Sequence, residues 1–214
     1  MKEKLSKYKI TPKYPPLDQF LHDAKYTTIA SIIAAGIECL LCHLWANGML
    51  AYQKDWWDTP VFNFALAGAM VLWRGPHFYV IHRVMHPWRL TGVPDIGSFL
   101  YRKVHFLHHK SYNPTAWSGT SMHPIESLVY YSACLIPAML GLHPLHTLAT
   151  IVDCGVAAWT SHDGFVSPGS GSTFHMLHHS HFDCNYGGIQ VPFDKCFGTF
   201  AATKEDVREM WNRK

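Results

Sequence analysis

A chain of 214 residues is long enough for one domain with a substantial core, and no glycine-serine linker or charge block divides it. The net charge of +3 is too small to argue for a nucleic-acid partner, and the lysines gather near the start, at Lys2, Lys4, Lys7, Lys9 and Lys13. Charged residues make up only 15% and aromatic residues 14%, a mixture that suits a membrane protein with a large portion on the aqueous side.

In chain order, residues 1–25 read as a polar, proline-containing cytoplasmic segment, followed by a single membrane domain over 26–214. From Tyr26 to Tyr52 the sequence is almost continuously apolar, interrupted mainly by Glu38 and His43, and exceeds the roughly 20 residues a helix needs to span a bilayer. Its length and polar leader distinguish it from a signal peptide. Cys39 and Cys42 lie inside this run. They have no second pair and no βαβ context, so neither a redox motif nor a disulfide scaffold is expected from the cysteines.

A second apolar run from Val61 to Trp73 is extended by Phe78 to Ile81 across Arg74, Gly75 and Pro76, which predicts a kinked helix carrying the first histidines out of the bilayer. The third region, Ile125 to Thr160, is broken at Gly141, His143 and Pro144 into two shorter helices or a re-entrant hairpin. Arg83, Arg89, Arg102, Lys103 and Lys110 follow the second span, and Lys195, Lys204, Arg208 and Arg213 follow the third region. Together with the lysine-rich start, they put these parts on the cytoplasmic face. The expected architecture is an all-α integral membrane bundle, with four spans or two spans plus a hairpin, under a cytoplasmic histidine-rich helical cap.

Histidine is the unusual residue, with sixteen in the chain. Three clusters stand out: His82 and His86 in HRVMH, His105, His108 and His109 in HFLHH, and His175, His178 and His179 in HMLHH. On an α-helix, positions i, i+3 and i+4 share a face, so each cluster is expected to turn its imidazoles in a common direction as half of a metal site. Eight such imidazoles exceed the needs of one tetrahedral ion and favour a dinuclear centre, although ligand type alone does not choose among iron, zinc, copper and nickel.

HRVMH, HFLHHK, HPIE at His123 to Glu126, HDG at His162 to Gly164 and HMLHHSHFDCNYG resemble, in content and order, the sterol desaturase and fatty acid hydroxylase superfamily over roughly Trp73 to Phe200. The HDG and the ending HHSHFDCNYGGIQVPFDKCFGTF are most like its C5-sterol desaturases. HHSHFDCN and LHPL at Leu142 to Leu145 are also like its cholesterol 25-hydroxylases.

The resemblance implies two iron ions held by His82, His86, His105, His108, His109, His162, His175, His178 and His179, in an O2-dependent enzyme that hydroxylates or desaturates a sterol or fatty acyl C–H bond. A redox metal is needed because side-chain acids and bases do not attack such a bond. His123 and His181 are less clearly ligands. Asp163, Glu126 and Asp183 are candidates to accept the second ring N–H of a ligand.

No HPGG haem-binding segment occurs, which implies a separate donor such as cytochrome b5 and its reductase. By resemblance the enzyme sits in the endoplasmic reticulum if eukaryotic, or the inner membrane if bacterial. Competing readings are a carotenoid hydroxylase, a membrane hydrolase with two zinc ions, and a non-catalytic metal store or transporter.

Overall fold

The computed structural model describes residues 5–88, 92–166 and 171–212, so Lys2, Lys4, Arg89 and Arg213 of the charge pattern lie outside them. The described residues are helical, with no strand beyond an isolated antiparallel bridge between Lys9 and Phe165. The all-α expectation holds.

Helix α1 runs Leu17–Ala46, starting directly after Pro16 and ending at Asn47, with Gly48 at φ +67° turning the chain away. The expected Tyr26–Tyr52 run is therefore shifted towards the N-terminus. Hydropathy rises only near Tyr26, whereas the helix begins where proline stops blocking it. Its buried stripe explains the early start: Gln19, Asp23 and Thr27 continue at helical spacing into Ala30, Ala34, Leu41 and Trp45. The polar end of that stripe packs beneath the histidines and the apolar end within the bundle. Among the described helices, α1 alone is by itself long and apolar enough to cross a membrane.

Helix α2, Pro60–Val84, starts with proline at its first position and continues through Pro76, carrying His82 in its last turn. The third region divides as expected. Helix α4 (Pro124–Tyr131), a 3₁₀ turn and α5 (Leu135–Met139) precede the break at Gly141, and α6 (Pro144–His162) follows it. Both α4 and α6 start by the same device, a histidine before proline. The Nδ1 atoms of His123 and His143 accept the N–H of Ile125 and of Leu145, each at 3.2 Å. Helix α3 (Ile96–Lys103) leads into a 3₁₀ segment, His105–Lys110. Beyond α6 come α7 (Ser172–His181), α8 (Phe193–Cys196) and α9 (Lys204–Asn212).

Helix α1 packs on α4, α2 on α6, and α6 on α7. Their interface is built from small residues, Ala30, Ala34, Ala133, Cys154 and Ala158, with Tyr130 and Met122 between them, which lets helices approach closely as they do in lipid. Gly119 shows how close: a Cβ there would lie 2.3 Å from the Ala158 carbonyl oxygen of α6. Polarity is inverted relative to a water-soluble bundle. On α2 the exposed residues include Val61, Phe62, Phe64, Leu72 and Val80, while Asn63, Arg74, Tyr79 and His82 are buried. Such an apolar exterior over a polar interior is the pattern of a helical membrane protein.

Candidate metal centre

All nine histidines singled out in the sequence are buried and converge between α2, the 3₁₀ segment, α6 and α7. They fall into two groups, within each of which one nitrogen of every ring lies within 4.8 Å of the others: His82, His86, His105, His109 and His178 in the first, and His108, His162, His175 and His179 in the second. His123, which caps α4, and His181, whose Nδ1 lies 3.2 Å from the Leu177 carbonyl, belong to neither group.

The expectation that each histidine box forms half of a site is corrected. The i, i+4 pairs stay together, His82 with His86, His105 with His109, and His175 with His179. The i+3 members cross over: His108 joins the group of the third box and His178 that of the second. On α7 the reason is angular, because successive residues point about 100° apart, so position i+4 lies about 40° from i but far from i+3. The second box is a 3₁₀ segment rather than the expected α-helix, and there Glu126 and the Ser121 carbonyl, which hold the second nitrogens of His105 and His108, set the directions of those two rings.

That second nitrogen is anchored in most of the rings. The Nδ1–H of His82 donates to the Tyr186 carbonyl at 2.6 Å, that of His178 to the Cys184 carbonyl at 2.7 Å, that of His162 to the Ala158 carbonyl at 2.8 Å, and that of His108 to the Ser121 carbonyl at 3.2 Å. A carbonyl only accepts, so each of these Nδ1 atoms carries the proton and each neutral ring presents its Nε2 lone pair to the centre. The consequence is sharp at His108 and His162, whose Nε2 atoms lie 3.3 Å apart, and at His178, whose buried Nε2 has no hydrogen-bond partner. Facing lone pairs repel unless a cation lies among them. The donor set therefore fits metal ions, and imidazole suits iron.

Burial keeps the rings neutral. It pushes His105 down to about 3 and His108 to about 4, and, with the neighbouring imidazoles adding to it, holds His86, His109, His175 and His179 well below 6.5. Neutral rings are what a metal requires, since a protonated imidazole has no free lone pair. The unfolded chain takes up protons near pH 6.5 while the folded, metal-free protein takes them up only nearer 3 to 4. Stability contributed by these rings is thus present above about pH 6.5 and lost as pH falls below it. The thermal midpoint of the metal-free protein should decline steadily from pH 7 to 5, and a flat midpoint would contradict this.

Among the candidate carboxylates, Glu126, only 3% exposed, accepts the Nδ1–H of His105 at 2.7 Å. Asp163 instead accepts the N–H of Phe165 at 2.9 Å within its own turn. Replacing Glu126 with leucine should lower metal affinity about 10–100-fold, with glutamine recovering part of the loss through its remaining acceptor oxygen. Competition with a chromogenic chelator measures this, and unchanged affinity in the leucine variant would count against the role.

Three further residues hold the centre in place. Asp194 accepts the N–H of Tyr186 and of Gly187, each at 2.8 Å, and the Thr199 hydroxyl at 2.7 Å. It thereby fixes the carbonyl that receives His82. Asn185, at φ +55°, bonds both ways with Ala201, donating at 2.9 Å and accepting at 2.8 Å, and so aims the neighbouring Cys184 carbonyl at His178. Asp23 of α1, fully buried, accepts the hydroxyls of Ser111 at 2.6 Å, Ser118 at 2.8 Å and Ser121 at 3.1 Å. That clamp seats the segment whose Ser121 carbonyl receives His108.

A cavity opens beside both groups, lined by His82, His105, His108, His162 and His175 and by apolar residues including Phe78 and Met122. Arg74, Glu126, Ser161 and Gln190 also line it, so both polar and apolar side chains face the centre.

Cholesterol 25-hydroxylase of Homo sapiens is 28% identical to this chain over 222 residues, which cover 95% of the chain and 75% of that protein. Methylsterol monooxygenase 1 of Gallus gallus is 24% identical over 221 residues, covering 96% and 71%. A Delta(7)-sterol 5(6)-desaturase of Gibberella zeae is 29% identical over 153 residues, covering 68% of the chain and only 39% of the desaturase. No solved structure matches. Residues 67–199, from the middle of α2 past the last histidine box to Thr199, match the family described as Fatty acid hydroxylase. With that match extending over more than half of its length, and with a sterol hydroxylase, a desaturase and a monooxygenase among its relatives, the chain belongs to the fatty acid hydroxylase family.

Proposed function

We propose that the protein is a membrane-embedded di-iron oxidoreductase that hydroxylates or desaturates a C–H bond of a sterol or fatty acyl lipid with O2. The observation that carries this reading is the pair of buried imidazole groups whose lone pairs face one another beside a cavity partly walled by apolar side chains. The relatives, named for sterol hydroxylation, desaturation and monooxygenation, support the substrate class.

In this account the first group, with five rings, and the second, with four, each hold one iron. Iron bound there supplies, with dioxygen and electrons from a donor such as cytochrome b5 and its reductase, the oxidising power that side chains lack. The polypeptide does the rest. The carbonyls of Tyr186, Cys184, Ala158 and Ser121 fix the tautomers of four rings, Glu126 orients His105, and the apolar cavity wall positions the lipid and excludes water.

Residues 26–214 act as one membrane domain with four crossings, or two crossings and a hairpin, and the histidines lie on the cytoplasmic side of the endoplasmic reticulum or of a bacterial inner membrane. The exposed apolar faces of α1 and α2 and the cationic residues after α2 support that placement.

The test is turnover of sterol and fatty acyl lipids by the iron-loaded protein with a reductase system under isotopically labelled dioxygen. The expected product carries one labelled oxygen or has lost two hydrogens. Lipid hydrolysis by the zinc-loaded protein without dioxygen or reductant would replace this reading with the hydrolase.

A further inference from the structure

An apolar membrane helix carries a buried charge at a cost, which makes such a residue a pointer to function. Arg74 is only 5% exposed in the middle of α2, with Leu72 and Trp73 before it and Phe78 after it. Its Nε donates to Asp153 of α6 at 2.5 Å. The rest of its guanidinium makes no hydrogen bond to another described residue, although the group offers five N–H donors.

Arg74, Phe78 and His82 are spaced i, i+4 and i+8, so they form one stripe along α2, and all three line the cavity at the histidines. At a rise of 1.5 Å per residue, Arg74 stands about 12 Å along the helix axis from His82. The cavity thus has a metal-ligating end and a cationic end, with an aromatic ring between them.

We propose that Arg74 receives an uncharged oxygen of the lipid, a hydroxyl or a carbonyl, and that its separation from the histidines selects which carbon is oxidised. The inference rests on the reading of the protein as a lipid oxidoreductase and deepens it by naming the functional group that is recognised. Asp153 settles the charge of that group. The Arg74–Asp153 pair is already neutral, so an uncharged oxygen accepts a guanidinium N–H without adding charge. A carboxylate or sulfate would leave net negative charge in a buried, apolar site.

Equilibrium binding to the full-length protein in lipid nanodiscs tests the proposal without turnover, using two matched series of probes. One is cholesterol, its 3-deoxy analogue and cholesterol sulfate. The other is octadecanol, octadecane and ionised octadecanoate. In at least one series the wild-type protein is expected to bind the hydroxyl member about tenfold more tightly than both the deoxygenated and the anionic member.

The Arg74→Met/Asp153→Leu variant, which removes the pair without stranding a charge, is expected to bind the hydroxyl and deoxygenated members within about twofold of each other and to retain its iron. Equal wild-type binding of hydroxyl and deoxygenated members, tighter binding of the anionic members, absence of binding in both series, or an undiminished preference in the variant would each overturn the proposal. Iron content is read on the same samples. A wild-type protein that holds no iron but keeps the hydroxyl preference would overturn the oxidoreductase reading alone.

Discussion

Replacing His178 with alanine is expected to remove the ion shared with His105 and His109, and to spare the ion held by its own box-mates His175 and His179. The grouping of ring nitrogens dictates this outcome, since His178 joins the first group and its helical neighbours join the second. Two variants within one box, His175→Ala and His178→Ala, should each lose a different ion, and together both. Two variants in different boxes, His105→Ala and His178→Ala, should lose the same ion, so the second substitution adds little to the first. Iron per chain in the single and double variants reads this directly, and the affinities should show a coupling energy of about 0.5–3 kcal/mol only for the pair that shares an ion. If the effects instead follow the sequence boxes, with His175 and His178 acting on one ion, the grouping is wrong.

The second large effect is expected at Asp194, which is 2% exposed and lies outside every histidine box. Alanine there leaves the buried N–H groups of Tyr186 and Gly187 without their acceptor. Each stranded donor costs about 1–3 kcal/mol, so the loss in stability should be about 3–5 kcal/mol, of the size found when one partner of a buried charged network is removed. The effect should also reach the metal, because the Tyr186 carbonyl that receives the His82 Nδ1–H is released, and iron affinity should fall about 10–100-fold. Asparagine retains one acceptor oxygen and should recover part of both losses. Denaturant midpoints and chelator competition on the two variants give the numbers. An Asp194→Ala protein with unchanged iron affinity would detach this loop from the centre.

Eight of the nine histidines that converge were legible in the sequence because metal ligation repeats one residue type at short spacings, whereas His162 stands alone and was marked only by the resemblance of its HDG. The division of the nine between two groups was not legible, because spacing along one helix does not reveal which way a ring faces once its Nδ1 is claimed by a distant carbonyl. Cys184 and Tyr186 act through main-chain oxygens, which leave no mark in side-chain composition.

Asp23 was hidden for a different reason. It lies in a stretch that reads as a polar leader, and its partners Ser111, Ser118 and Ser121 lie about ninety residues away at no regular spacing. Among the helices, the break at Gly141 and Pro144 was legible from backbone chemistry alone. The start of α1 at Leu17 is set by the proline stop at Pro16, and it lies nine residues before the apolar run that marks the helix in the sequence begins at about Tyr26.

The central claim is that two groups of buried imidazoles each hold an iron, and its most direct test is anomalous X-ray scattering at the iron edge from crystals of the iron-loaded protein. The account predicts two peaks, one enclosed by His82, His86, His105, His109 and His178 and the other by His108, His162, His175 and His179. A single peak, or iron outside these two groups, would contradict it.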